Sequence, residues 1–420
     1  MILYFKVGNF KSIYEKIVLN FNATSLSDYN DSNVIELNKK SILKSILLYG
    51  HNASGKSKIL ESIDFFKWFV SNSATEKLED SRLDLEPFRL LENSNKEPSF
   101  FEMSFFIGKT VYRYGFEADD KKVYKEWLLE VKKTTEKPIF LRINNEFKIE
   151  YKIFENSEGL DVRTRNNALF ISVASQWNVK VAQKIVDYID SIISVQGLND
   201  REYRDITIDL LKNNSYTELI QKFIQKADLG INGINVIDVP ITYENLEKSI
   251  PEGLREIFKE QFEKRKPTTL ISEHKVFDKD NNFVRMEPFL FQKSESEGTK
   301  KYFNLIGLII IAIKENRPII IDEFDAKLHS LLSKAILKLF NSNKIRTTSQ
   351  LLVACHDTSL IDRNILRRDQ IYFVEKDYKG STNIITLAEY KPRKESPFDK
   401  NYLDGKYGGI PIIDDLESIF

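Results

Sequence analysis

Cysteine is almost missing from this sequence. Cys355 is the only one, so no intrachain disulfide can form and a cysteine-rich zinc site is excluded, which fits a reducing compartment. Histidine is scarce as well: four are scattered along the chain, too few and too dispersed for a transition-metal site built by the protein alone. Neither sign of charge dominates, because 62 Lys and Arg offset 62 Asp and Glu. No global basic field therefore points to nucleic acid or an anionic membrane, and only a local patch could serve that purpose. Long apolar runs are lacking too; the strongest, residues 305–313, is far short of the ~20 residues that cross a bilayer. The opening MILYFKVGNFKSIYEK has no basic-then-apolar signal pattern, so a cytoplasmic protein with no membrane association is expected. Repeats and low-complexity tracts are absent. What remains is 420 residues, 42% of them hydrophobic, enough for a substantial core and for two domains or one large elaborated one.

Along the chain, the apolar start breaks at Gly8-Asn9 and resumes at Ile17 to Phe21, which predicts an early strand pair. The Asn-, Ser- and Asp-rich stretch 22–40 reads as a loop. Ile46-Leu47-Leu48-Tyr49 is a short apolar strand ending in Gly50, and Ile59, Ile63, Phe66 and Phe69 recur at helical spacing. Between Pro98 and Val131 the alternation of Phe101, Met103 and Phe105 predicts an antiparallel sheet, with turns near Gly108 and Asp119-Asp120. From Val179 to about Lys264 the periodicity is mainly helical, with one strand-like interruption at 231–241. Beyond Glu287, strands at 319–321, 351–354 and 370–375 alternate with helices, which predicts a mainly parallel sheet. The fold class expected is α/β.

Gly50-His51-Asn52-Ala53-Ser54-Gly55-Lys56-Ser57 satisfies the phosphate-loop pattern in the required strand–loop–helix context. The glycines let the backbone curl so that its amides face phosphate oxygens, Lys56 adds a point charge, and Ser57 offers a hydroxyl to Mg²⁺. A Gly-Ser turn entering a helix is the bland alternative, and the surrounding pattern disfavours it. Pro318 to Glu323 reads as an apolar strand delivering Asp322 and Glu323 at its C-terminal end, where ligands sit in open α/β sheets. Asp322 is placed to hold the Mg²⁺ shell and Glu323 to polarise the attacking water. Lys56 and Asp322 stand 266 positions apart (322 − 56), far more than the ~30 residues of one βαβ step, so a large insertion separates the two halves of the site. Ser296 and Gly298, at the start of an apolar-periodic helix, form a second candidate anion site. His356 follows the strand LLVAC and so stands at another strand end, within reach of a γ-phosphate.

Taken together and in order, Asn52 in the phosphate loop, the Ser-Glu-Gly-Thr segment, the Asp-Glu strand and the strand-end His356 resemble the ABC-class ATPase heads of RecF, the SMC proteins and the OLD nucleases. Asn9-Phe10-Lys11-Ser12 looks like the start of those heads. Asp322 to His329, with the closing Tyr402-Leu403-Asp404-Gly405-Lys406-Tyr407-Gly408-Gly409-Ile410-Pro411, is similar to the bacterial AAA-type ABC-like ATPases of the AbiLi and RloA group. The resemblance implies a P-loop ABC-type head, a mixed sheet plus an antiparallel β subdomain, and ATP and Mg²⁺ as cofactors. By that resemblance ATP would lie on Asn9, Lys11, Gly50, Asn52, Ala53, Ser54, Gly55, Lys56, Ser57 and Lys58. Ser57 and Asp322 would hold the metal, Gln176 would be the further metal-site glutamine, and Glu323 and His356 would be catalytic. Ser296 and Gly298 would act on the ATP of a second subunit. Glu297 and Thr299 depart from the commonest signature of the class, Leu-Ser-Gly-Gly-Gln.

Three segments are expected: residues 1–178 and 286–420 as the two halves of the head, and 179–285 as an inserted, mainly helical lobe. That lobe lacks sustained heptads, so it is no coiled coil. Its Lys264-Arg265-Lys266 run reads as a solvated face. The function implied is a Mg-dependent ATPase that dimerises head to head around ATP. It would be the regulatory subunit of an anti-phage system acting with a nuclease-like or toxin effector. A RecF-like DNA-binding ATPase of DNA repair is the alternative, and charge gives it no support.

Overall fold

The computed structural model describes residues 1–75, 83–132, 135–196, 201–213, 216–238 and 268–410. The chain forms two compact units. One comprises Met1–Leu198, Ile311–Ala326 and Ser333–Phe420; the other comprises Asn199–Ile310 and Lys327–Leu332. The Lys264-Arg265-Lys266 run lies outside the described residues.

The first unit holds two large sheets. Strands β1 (Ile2–Gly8), β2 (Ile17–Asn20), β6 (Ser99–Ile107), β7 (Thr110–Ala118), β8 (Val123–Lys132), β9 (Thr135–Ile143) and β10 (Glu146–Ile149) form an antiparallel sheet in the order β10-β9-β8-β7-β6-β1-β2. Its turns fall where glycine and aspartate predict them: Gly108 adopts φ 60° between β6 and β7, and Asp119 Oδ1 accepts the amides of Lys121 and Lys122 between β7 and β8. The second sheet takes β5 (Ser45–Tyr49), β11 (Ile193–Gln196), β15 (Ile319–Asp322), β16 (Leu351–Cys355), β17 (Ile371–Lys376) and β18 (Thr382–Thr386), in the order β11-β15-β16-β5-β17-β18. Every pairing from β11 to β17 is parallel, and only β18 runs antiparallel. The central strands β5 and β16 are buried along their whole length, as a strand covered on both faces must be. The stretch 22–40, read as a loop, also carries a helical turn and β3 (Val34–Leu37), paired with β4 (Lys40–Leu43).

Helix Lys56–Asn72 packs between these sheets. Its Phe66 meets Phe5 and Phe116 of the antiparallel sheet at 5.6 Å between ring centroids, and the same apolar cluster reaches Ile320, Leu352 and Val374 of the parallel sheet. The phenylalanines recurring at helical spacing are thus the core of this unit. Helix Lys180–Asp190 and β11 also belong here: Tyr188 stacks on Phe105 at 4.8 Å, and Ile193 pairs with Ile319. The compact unit therefore runs past residue 179, the expected start of the insertion, to Leu198.

The second unit carries helices Arg201–Lys212 and Thr217–Lys226 and a three-stranded antiparallel sheet, β12 (Gly233–Asp238), β13 (Thr268–Phe277) and β14 (Phe283–Leu290), in that order. The strand-like interruption near 231 is β12. The hairpin β13–β14 corrects the expectation of a mainly helical lobe up to residue 285. Its tight turn is set by Asp278, whose carboxylate accepts the amides of Asp280 and Asn282, and by Asn281 at φ 63°.

Candidate nucleotide site

The fully buried strand β5 delivers the chain to Gly50, and the loop that follows has no slack. A Cβ on Gly50 would stand 2.3 Å from the Val374 carbonyl oxygen, and one on Gly55 would stand 2.1 Å from Thr382 Oγ1. Gly55 also adopts φ 112°, which L side chains rarely take, and Ala53 sits at φ 65°. Thr382 Oγ1 donates to the Ser54 carbonyl at 3.0 Å and bonds Ser12 Oγ at 2.8 Å. The His51 amide donates to the Gly409 carbonyl at 2.7 Å, so the closing Gly-Gly segment lies directly on the loop. Asn52 and Ala53 are exposed, while Ser54 is buried with no partner for its hydroxyl among the described residues.

Lys56 is 6% exposed, and its ammonium donates to the carbonyls of Gly50 at 2.7 Å and His51 at 3.2 Å. Burial lowers its pKa, while the charges of Asp322, Asp325 and Glu323 pull it back up. The same three acids reach His356, whose pKa burial and then the Lys56 charge push below 6.5. Lys56, the acidic pair and His356 therefore share one electrostatic site, although they come from distant parts of the sequence.

Parallel register explains the convergence. Tyr49 pairs with Cys355, Val353 with Ile321, and Gln196 with Asp322. The C-terminal ends of β5, β16, β15 and β11 thus lie along one sheet edge, where open α/β sheets bind ligands. Glu323 leaves this edge at φ 45°, its amide donating to Asp322 Oδ1 at 3.0 Å. That left-handed conformation in a glutamate is local strain held in place by the surrounding structure. Asp325 Oδ2 accepts the amides of His356 at 2.9 Å and Asp357 at 2.5 Å, which fixes the backbone that presents the imidazole.

Several residues fall elsewhere. Gln176 ends helix Phe170–Gln176, whose Ser172 hydroxyl donates to Val70 O at 2.5 Å and meets Ser73 Oγ at 2.8 Å. Val70 lies 14 residues along the helix from Lys56 (70 − 56), or ~21 Å at helical rise, so Gln176 is at the far end from the phosphate loop. The structure brings Gln196 to the acidic edge instead. Asn9 is 5% exposed and its amide is committed to Ser94 O, Glu97 O and Phe88 N, leaving no donor for a nucleotide. Lys11 and Lys58 both place their ammonium groups on Glu61 at 2.6 Å. Burial alone would raise the Glu61 pKa, but these two bonds hold it below the ordinary value. The sequence reading missed Gln196 and gave no role to Asp325. The strand-end rule that singled out His356 also fits Ile193-Ser194-Val195-Gln196.

Ser296 and Gly298 lie in the second unit. Ser296 caps helix Glu297–Glu315: its Oγ accepts the Thr299 amide at 3.1 Å and bonds Thr299 Oγ1 at 2.9 Å. A Cβ on Gly298 would lie 2.6 Å from the Lys327 carbonyl. Glu297 pairs with Lys300 at 3.0 Å and Lys327 at 3.5 Å.

Among the described residues, no three His, Cys, Asp or Glu side chains converge as a self-contained metal site. The hydroxyl of Ser57 and the carboxylate of Asp322 are hard oxygen donors, the kind Mg²⁺ combines with phosphate oxygens and water. A buried ammonium resting on carbonyls, an unpartnered Ser54 hydroxyl and glycines with no room for a Cβ fit a polyphosphate cradle.

The family model "AAA domain, putative AbiEii toxin, Type IV TA system" matches residues 45–362, a span running from β5 past His356. No curated protein matches the chain. Among solved structures, the SmcHead bound to the C-winged helix domain of ScpA is 14% identical, with 93% of this chain and 99% of that chain covered at a TM-score of 0.46. The SMC head domain from Thermotoga maritima is 15% identical, covering 92% and 98%, at 0.39. The Pyrococcus furiosus Smc head with an extended coiled coil, bound to the C-terminal domain of ScpA, is 14% identical, covering 93% and 97%, at 0.39. Among the described residues, no helix is long and apolar enough to cross a membrane.

Proposed function

The chain belongs to this AAA domain family, and we propose that it binds and hydrolyses ATP with Mg²⁺ at the edge formed by the ends of β5, β15 and β16. The observation that carries this reading is the buried Lys56 ammonium. It is seated on the Gly50 and His51 carbonyls and shares its electrostatic environment with Asp322, Glu323, Asp325 and His356. In the proposal Lys56 and the loop amides take the β- and γ-phosphates, while Ser57 and Asp322 hold the metal. Bound Mg²⁺ neutralises charge developing on the phosphate oxygens. Glu323 accepts a proton from the attacking water, and His356, neutral at pH 7, contacts the γ-phosphate. Gln196 takes the place first given to Gln176, because its register partner is Asp322.

The finer reading has a second chain's Ser296 and Gly298 completing the site, so that two heads close on two nucleotides. It makes the protein a regulatory ATPase of an anti-phage system that acts with a nuclease-like or toxin effector in the cytoplasm. The supports are the capped, exposed Ser296 helix start, the closing motif that resembles the AbiLi and RloA group, and the toxin–antitoxin wording of the family description. A calorimetric titration decides the core of the proposal. Lys56→Ala should lose ATP binding, and Glu323→Gln should bind ATP yet release no phosphate. Equal ATP affinity in Lys56→Ala and wild type would remove the assignment. Ser296→Arg should keep binding but abolish ATP-dependent dimer closure, read by light scattering. Full hydrolysis by that variant as a monomer would exclude action across a subunit boundary.

A further inference from the structure

Among the described residues, strand β14 is a terminal strand of the three-stranded sheet with no further strand beside it, and its side chains are unusually bare. Phe283 is 55% exposed and Val284 52%, with Met286, Phe289 and Leu290 each above 40%. An apolar strand with a free edge is a template for another strand, and soluble proteins normally blunt such an edge or cover it. The strand carries the charged Arg285 and Glu287, a register shift at Val284 and one proline. Pro288, opposite Glu273, has no N–H to give to β13, so it fits a position whose hydrogen-bonding side faces outward. Antiparallel alternation then turns the N–H and C=O groups of Met286 to the same edge, and a register shift at Val284 ends the regular alternation there.

We propose that this edge pairs with the β14 edge of a second copy of the chain, antiparallel across a two-fold axis at Met286, to form a six-stranded sheet that needs no nucleotide. The charge order selects the partner and the register. Arg285 and Glu287 flank Met286, and within one chain Arg285 Nε already donates to Glu287 at 2.9 Å. With the axis on Met286, inside the stretch of β14 that keeps regular register, each Arg285 stands opposite the partner's Glu287. Opposite charges that face each other are a stabilising cross-strand pair. A slip by one residue would break the Arg–Glu pairing. The Met286 pair exchanges both of its main-chain bonds. The interface is isologous, as two-fold dimers require. It is also separate from the nucleotide-dependent closure proposed for the head, so neither reading depends on the other.

The test is sedimentation velocity on the full-length, nucleotide-free protein over a concentration series. Wild type should shift from monomer to dimer. Arg285→Glu puts Glu opposite the partner's Glu287 twice, and Glu287→Arg puts Arg opposite Arg, so each variant alone should weaken dimerisation about tenfold or more. The double variant Arg285→Glu/Glu287→Arg should restore it. A mixture of the two single variants should form heterodimers, since every facing pair is then Glu with Arg. Circular dichroism of each single variant confirms that it is folded, and the mixture keeps the test informative if one variant alone is unstable. A wild type that stays monomeric throughout overturns the proposal, as does a dimer indifferent to Arg285→Glu or single variants that fail to rescue each other.

Discussion

The rigid seat of the phosphate loop can be tested at Gly55. Replacing it with alanine places a methyl group 2.1 Å from Thr382 Oγ1 and 2.7 Å from its Cγ2, on a residue held at φ 112°. Two costs follow. The backbone conformation itself costs an alanine roughly 1–3 kcal/mol. The clash cannot be relieved by rotating Thr382 without losing its bonds to Ser12 and the Ser54 carbonyl, at about 0.5–1.5 kcal/mol each. Gly55→Ala should therefore destabilise by about 2–6 kcal/mol. Thr382→Ala alone loses the two hydrogen bonds, about 1–3 kcal/mol. The double variant removes the two nearest clashing atoms, with the Thr382 Cβ still at 2.9 Å, so the hydrogen bonds are lost once rather than twice. The urea-unfolding free energies should then fall short of additivity by about 1–3 kcal/mol, well outside the ~0.5 kcal/mol scatter of independent sites. Additive losses would mean that Gly55 and Thr382 do not touch as described, and the account of the loop's rigidity would fail.

Other outcomes follow from the same geometry. Asp325→Ala strips the acceptor from the His356 and Asp357 amides, so ATP binding should persist while the hydrolysis rate falls at least tenfold in a phosphate-release assay; an unchanged rate would separate Asp325 from the presentation of His356. Arg142→Ala leaves Glu126 buried without its cation, both side chains being fully buried, and should cost about 3–5 kcal/mol in denaturant unfolding. His356 has its folded pKa below 6.5, so below about pH 6.5 the unfolded chain binds more protons and stability rises with pH through that window. His356→Gln should flatten that part of the melting-temperature profile, and an identical slope would place the titration elsewhere. Lys56→Met removes an ammonium whose pKa burial already depresses, so the nucleotide-free protein should melt no lower than wild type while losing its ATP-induced thermal shift.

What the sequence disclosed, and what it did not, follows from the range of each constraint. The phosphate loop was legible because its demands are local: Gly50 and Gly55 have no room for a Cβ, and the strand before and the helix after are readable from periodicity. Asp322, Glu323 and His356 were found by asking what stands at the ends of apolar strands. The strand order β11-β15-β16-β5 is not written in any window, so nothing local separated Gln176, which ends a helix, from Gln196, which ends the strand beside Asp322. Asn9 matched a motif, yet its buried amide serves the turn it sits in. The hairpin β13–β14 was read past because helical periodicity earlier in the segment outweighed the Asp-x-x-Asn-Asn turn at 278–282.

The site's construction also gives the closing segment, residues 402–410, a physical role. Three stretches far apart in sequence fix the loop: Ser12 through Thr382, β18 through the Ser54 carbonyl, and Gly409 through the His51 amide. Gly409 is held in turn by Tyr402, whose hydroxyl donates to its carbonyl at 3.0 Å, and by Glu375, which accepts its amide at 3.2 Å. Tyr402 and Tyr407 stack on Phe373 of β17 at 5.1 and 5.3 Å, and Gly408 sits where a Cβ would meet Glu375 at 2.4 Å. The tyrosines and paired glycines of that segment are therefore a clamp on the first turn of the phosphate loop. A loop held from three sides keeps its amides oriented before any phosphate arrives, so binding need not order it first. The same logic explains the buried Lys56: an ammonium withdrawn from water and seated on carbonyls is costly to maintain, and the clamp is what maintains it.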